Sequence, residues 1–256
     1  MSDKIKIIKE PTEELPFAVI YKPKALASAP ITAEDKDNAF YQAAELFPKL
    51  LEVQGKKAIE HGLLHRLDTA TDGLLLIAAS QDFYDYMLCE QEEGRFIKYY
   101  KANCKLDNNN CRELGGFPIE CPAVSDWSHN PPAPKADFHP FVIESYFRAF
   151  GKGGKEVRPV TEKSGMAALK KVGKLKLYKT ELVTLENCGE SVNVVCKISQ
   201  GFRHQVRCHL AWAGLPIIND PIYNAKSLGT SEPLQFSATA LEFINPKDGK
   251  LLKFSL

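Results

Sequence analysis

Asp68 is the first residue in this chain equipped for chemistry. It lies in the run L-L-H-R-L-D-T-A-T-D-G-L-L-L-I, Leu63 to Ile77, between two apolar segments that read as strands. A loop between buried strands is where a rigid scaffold presents a reactive group. An isolated carboxylate in an apolar cleft takes up a proton and loses its nucleophilicity, so it needs a cationic partner. Arg207, in Q-G-F-R-H-Q-V-R-C-H-L-A-W-A-G-L-P-I from Gln200 to Ile217, is of the right type. A guanidinium opposes that proton uptake and holds a carboxylate through a two-pronged contact. From charge alone, an ordinary structural ion pair is the better reading of Arg207. A third group is Tyr100, in K-Y-Y-K-A from Lys98 to Ala102, whose ring can stack and whose hydroxyl can pass a proton. Taken alone, it reads as one more aromatic on a half-buried sheet.

The elements that must position these groups form a β-rich α+β pattern. Phe17 to Tyr21 reads as a short strand ending at Lys22-Pro23. Ala39 to Val53 reads as helix, with Pro48 at a break or at the first turn of a second helix. Gly73 to Ala79 is an apolar strand, and an amphipathic helix through Phe83, Met87 and Leu88 stops at Gly94. Arg95–Cys104, Leu177–Leu185, Ser191–Ser199 and Leu234–Phe243 alternate as strands should, which puts Tyr100 on one face with Lys98 and Ala102. Val206, Leu210 and Ala213 give a helix its buried stripe, Arg207 lies beside that stripe, and Gly214 and Pro216 end the helix. From 107 to 176 the pattern weakens around Asn108-Asn109-Asn110, Pro131-Pro132-Ala133-Pro134 and Gly151-Lys152-Gly153-Gly154. We read it as a loop-rich, partly basic excursion from one 1–256 domain.

Composition sets the bounds. The 256 residues are 44% apolar and 25% charged, the range of an ordinary globular chain. No apolar run approaches the roughly 20 residues of a membrane span, and the charged N-terminus M-S-D-K-I-K-I-I-K-E does not read as a signal peptide. Seven cysteines without C-x-x-C spacing argue against a disulfide framework or a zinc ribbon, so a reducing cytoplasm is the simplest location. The net charge of +1 says little about partners. Its distribution says more: Lys152, Lys155, Arg158, Lys163, Lys170, Lys171, Lys174, Lys176 and Lys179 face only Glu156 and Glu162. Such a stretch supplies phosphate contacts, although a solvated surface is the blander account.

Other chemistries fit less well. No G-x-G-x-x-G or P-loop appears, which disfavours dinucleotide and NTP enzymes. His61 and His65 have zinc-protease spacing but lack the glutamate, and His204 and His209 do not share a helical face. Cys208 beside His204 or His209 is a weaker nucleophile candidate still.

Order and spacing tie the three groups together. H-R-L-D-x-x-T-x-G-L-L-L, then K-x-Y-x-A about thirty residues on, then G-x-x-H-Q-V-R-x-H-L-A followed by G-L-P-I resemble, in sequence order, the motifs of the RluA-type RNA pseudouridine synthases. Y-K-P at Tyr21–Pro23, D-P-I-Y at Asp220–Tyr223 and the L-x-x-S-A-x-x-L-x-F strand add minor signals, and the resemblance runs from about residue 16 to about 245. It implies a pseudouridine synthase fold: a mixed, mostly antiparallel sheet in two lobes flanked by helices, with a central catalytic cleft. It implies isomerisation of uridine to pseudouridine in structured RNA, ribosomal or transfer, by a monomer without cofactor or metal. By motif position Asp68 would be the essential carboxylate, Tyr100 the base-stacking residue and proton acceptor, and Arg207 the partner of Asp68. Arg66, His65, Arg203 and Lys98 would contact RNA, Arg66 helping to hold the nucleotide out of its stack. Leu67 and Val206 are candidate apolar walls, with a core role the more ordinary one. A non-catalytic RNA-binding protein on the same fold is the alternative. Three departures stand out. Phe202 replaces the arginine of the family's G-R-x-H-Q, with Arg203 one place later on the opposite side of an extended segment. Asp72 stands where serine or threonine is commoner. No separate RNA-binding module is expected before Tyr21.

Overall fold

The computed structural model describes residues 4–124, 138–173 and 175–256, so the Pro131–Pro134 run and Lys174 lie outside the described residues. In chain order the strands are β1 (Lys6–Lys9), β2 (Phe17–Lys22), β3 (Asp72–Ala78), β4 (Ile97–Cys104), β5 (Phe141–Phe150), β6 (Glu156–Val160), β7 (Tyr178–Asn187), β8 (Val192–Ile198), β9 (Phe236–Ile244) and β10 (Leu251–Ser255). The helices are α1 (Ala39–Leu46), α2 (Gln81–Glu92), α3 (Asn110–Leu114), α4 (Met166–Leu169) and α5 (Gln205–Trp212). Pro48 does open a separate short helix, Pro48–Glu52, as its fixed φ and missing N–H favour. Ser80 caps α2 by accepting from the Phe83 N–H at 3.3 Å.

The chain divides into two compact units, 1–99 with 237–256, and 100–236. In the first unit β2 lies antiparallel between β1 and β3, β3 pairs in parallel with β9, and β10 closes antiparallel on β9. β3, D-G-L-L-L-I-A, is buried from Gly73 onward, which explains its continuous apolar run where β4, β7 and β8 alternate. Phe17, Leu74, Leu76, Phe83, Met87, Phe96 and Phe243 form the core beneath it. In the second unit β5 joins β6 and β7, and β7 joins β8, all antiparallel. Phe147, Val157, Tyr178, Cys208, Ala211 and Tyr223 cluster there.

The 107–176 stretch is therefore less loop-rich than its sequence suggests. It contributes β5 and β6 to the second unit's sheet, with Ile143, Ser145 and Phe147 alternating inward. Pro159 can sit in β6 because that strand lies at the sheet edge, where a missing donor breaks no ladder.

Gly73 is one of the tightest points of the first unit. Its φ is +129°, and a Cβ there would lie 2.1 Å from the Ala238 carbonyl oxygen on β9. Strain and overlap act together, so Gly73→Ala should cost about 2–4 kcal/mol. Equilibrium urea unfolding measures this, and an unchanged midpoint would refute the close approach.

Candidate active site

The loop that carries Asp68 is built from the backbone outward. Leu63 bridges Ile77, and the Ala78 N–H reaches the Gly62 carbonyl at 2.8 Å, so the approach to the loop runs antiparallel to β3. Ser28 then grips Leu67 twice: its hydroxyl donates to the Leu67 carbonyl at 2.8 Å and accepts from the Leu67 N–H at 2.9 Å. On the other side of Asp68, Lys22 donates to the Thr69 carbonyl at 3.4 Å. The Thr71 N–H closes the turn onto the Asp68 carbonyl at 2.9 Å. Both neighbours of Asp68 are thus pinned, while its own residue is only half-buried. A reactive group held this way keeps its place without relying on its side-chain contacts.

Lys22 has 0% exposure, and its ammonium also donates to the carbonyls of Pro23 at 2.9 Å and Leu26 at 2.8 Å. Burial pushes its pKa down to about 8, against the opposing pull of the Asp72 and Asp68 carboxylates. Asp72, which reads in sequence as a mild turn change, is the first residue of β3 and a hub. It accepts from the Tyr21 hydroxyl at 2.9 Å and the Ser237 hydroxyl at 2.7 Å, with Lys24 Nζ at 3.8 Å. A serine or threonine there could not accept from all of these partners with charge.

The other candidates in this unit separate by exposure. Arg66 is exposed, with Nη1 3.1 Å from Glu60 Oε1. Of the expected RNA contacts, His65 is half-buried and Lys98 is buried, so neither is an exposed cation as Arg66 is. His65 accepts the Leu76 N–H on Nε2 at 3.2 Å, and burial beside the Lys98 charge lowers its pKa to about 3. Lys98 is 3% exposed, donates to the Phe96 carbonyl at 3.2 Å and lies 4.1 Å from that ring's centre. Burial lowers its pKa to about 7. Leu67 is buried.

In the second unit Tyr100 is buried and stacks on Phe236, 5.2 Å between centroids and 11° between planes. Arg207 is buried on α5, and its Nε and Nη2 each donate at 2.8 Å to the two oxygens of Asp220. Asp220 also accepts from the N–H groups of Ile222 and Tyr223, both at 2.9 Å. Sequence reasoning pairs Arg207 with Asp68 and passes over Asp220 as a carboxylate, although D-P-I-Y marks its position. A short polar residue opening a turn, three before a buried tyrosine, is the available signal.

The rest of the α5 motif is occupied in building that unit. Gln205 donates to the Lys179 carbonyl at 2.9 Å and accepts the Phe202 N–H at 2.9 Å. His204, in a left-handed conformation at φ 57°, places Nδ1 3.0 Å from the Tyr223 hydroxyl. His209 sits between Ser145 at 2.9 Å and Thr180 at 2.8 Å, and burial lowers its pKa to about 3. Cys208 is buried with its thiol pushed well up, which disposes of it as a nucleophile. Val206 is buried, while Arg203 is exposed.

A family model described as RNA pseudouridylate synthase matches residues 16–212. The chain belongs to this family. Pseudouridylate synthase RPUSD2 of Homo sapiens is 28% identical over 172 residues, 66% of this chain and 24% of the human protein. RNA pseudouridine synthase 7 of Arabidopsis thaliana is 27% identical over 188 residues, 72% of this chain and 40% of its own. The tRNA pseudouridine(31) synthase of Saccharomyces cerevisiae is 25% identical over 245 residues, 92% of this chain and 51% of that one. The chain thus spans well under half of the first two relatives. Among solved structures, human RNA Pseudouridylate Synthase Domain Containing 1 superposes with a TM-score of 0.62 at 17% identity, covering 100% of this chain and 84% of that one. Human RNA Pseudouridylate Synthase Domain Containing 4 gives 0.57 at 18%, covering 94% and 84%. These likenesses establish the α+β pseudouridine synthase fold.

Two outcomes follow for this family member. Asp220→Ala leaves the Arg207 charge buried without its carboxylate and should cost roughly 3–5 kcal/mol in urea unfolding; a cost below about 1 kcal/mol would contradict the pairing. His209 stays neutral in the folded chain down to about pH 3, whereas the unfolded chain protonates it below its usual 6.5. Stability from this residue is therefore full above pH 6.5 and drains away as pH falls toward 3. Between pH 7 and pH 5 the wild type should lose more stability than His209→Gln, and equal losses would rule this out.

Proposed function

We propose that this chain isomerises uridine to pseudouridine within RNA, with Asp68 as the essential carboxylate. The observation that carries the reading is the two-sided backbone grip on the Asp68 turn, by Ser28 at Leu67 and by Lys22 at Thr69. The grip fixes the backbone on both sides of the carboxylate, as a reacting group requires. The family membership supplies the reaction: the N-glycosidic bond of uridine is exchanged for a C-glycosidic one. Asp68 acts ionised, either attacking the sugar or taking a proton from it. The base must leave its stack, a step costing a few kcal/mol, and Arg66 on the exposed flank of the same loop is suited to hold it out.

In this reading Tyr100, by motif position, stacks on the base and takes part in proton transfer, and Arg207 is the motif's cation, its orientation fixed by Asp220. The reaction needs neither metal nor cofactor. Ribosomal and transfer RNA are both candidate substrates, and one yeast relative is named for a tRNA position. Intact Asp68, Tyr100 and Arg207 favour catalysis over a purely RNA-binding role.

The test is to map pseudouridine in RNA from cells with and without the gene, complemented by wild type or Asp68→Asn. At least one site should vanish with the gene, return with wild type and stay absent with the Asn variant. Should the Asn variant restore every site, Asp68 is not the catalyst.

A further inference from the structure

The position at which the family motif carries arginine is taken here by Phe202, and the structure commits that side chain to packing. Its ring stacks on Phe147, 5.0 Å between centroids and 5° between planes, and tilts against Tyr178 at 5.0 Å. It has no charge to offer a phosphate. The next residue, Arg203, is exposed and donates from Nη2 to two carbonyls, those of Gly154 and of Glu156, the latter at 3.3 Å. Those carbonyls flank Lys155. A second tie joins the same two segments: the Tyr223 hydroxyl accepts from the Val157 N–H at 3.0 Å and lies 3.0 Å from His204 Nδ1.

The segment so clamped is the turn between β5 and β6. Gly151, Gly153 and Gly154 take φ of 74°, 68° and 62°, and the Gly154 N–H returns to the Gly151 carbonyl at 3.1 Å. Lys152 and Lys155 are exposed on it, and among the described residues neither forms an ion pair. The one nearby acid, Glu156, is engaged by the buried Arg158 at 2.8 Å, so its charge is answered from within. The carbonyl bonds occupy only Nη2 of Arg203 among the described residues, leaving Nε and Nη1 for another acceptor.

We infer that this glycine turn is a contact surface for the RNA backbone, in which Lys152, Lys155 and Arg203 supply the positive charge that Phe202 removes from the family motif. The inference rests on the pseudouridine synthase reading for the choice of RNA as the polyanion. Lysine ammonium groups on flexible stems suit phosphates rather than base edges, so the surface positions RNA without reading its sequence.

Removing one phosphate-binding cation lowers the slope of log affinity against log salt by about 0.9. With the purified full chain and unfractionated tRNA as probe, Lys152→Gln/Lys155→Gln should weaken binding and reduce that slope by about 2, with an unchanged melting temperature. Arg203→Ala in that background should reduce it further. Lys247→Gln, an exposed lysine of the other unit, should leave the slope at the wild-type value. A double variant with the wild-type slope overturns the inference, and so does a wild type that does not bind tRNA at low salt. If the slope falls as expected while Asp68→Asn still forms pseudouridine, the catalytic reading fails and this surface stands.

Discussion

An ammonium group with no solvent exposure lies beneath the Asp68 loop, and the local geometry follows from how it is satisfied. Lys22 cannot shed its donors into water, so it takes three backbone carbonyls, those of Pro23, Leu26 and Thr69. A buried cation is costly unless it is paired and hydrogen-bonded. Here the carboxylates of Asp72 and Asp68 raise the pKa that burial lowers, and with a value of about 8 the group remains largely charged at neutral pH. The lysine therefore holds the loop and also carries a fixed positive charge near its acid. Asp72 extends the arrangement by collecting hydroxyls from β2 and from Ser237 at the head of β9.

The second unit solves a similar problem in another way. Arg207 and Asp220 are 3% and 0% exposed at the side chain, and the two-pronged contact leaves the aspartate oxygens to accept two more N–H groups from their own turn. Such a pair does less for raw stability than for uniqueness, because few alternative packings satisfy all its bonds. Gln205, His204 and His209 follow the same pattern. Each spends its polar atoms on the body of the unit, so the motif's residue types serve the scaffold as much as any substrate.

Much of this is readable from the residues alone, and the exceptions have physical causes. β3 and α2 are strongly patterned, and their ends fall within a residue or two of where the pattern puts them. β1 and β10 escape notice because K-I-I-K and L-L-K-F-S are short edge strands, half exposed, whose alternation runs for too few residues to read. β5 alternates well enough, but proline and glycine clusters on either side disguise it. Among the candidate residues, Asp68, Tyr100 and Arg207 stand out through motif order. Ser28 does not, since a serine in L-A-S-A carries no periodic signal, and Asp220 stands in D-P-I-Y with nothing in the sequence to show that it faces Arg207. The burial of Lys98 is not legible in its residue type: a lysine in an alternating strand reads as readily outward, and here it is 3% exposed.

The division of the chain also bears on when its parts come into being. The second unit is one continuous stretch, 100–236, whereas the first is completed only by 237–256. β3, which anchors the Asp68 loop through Gly73 and Asp72, pairs with Ala238 and Ser237 on β9. During synthesis the ribosome must deliver all of 100–236 before the strand that braces this loop exists. A nascent chain that has reached Phe236 contains the whole of its second unit while the Asp68 turn still lacks its brace, so that turn is set among the last parts of the fold.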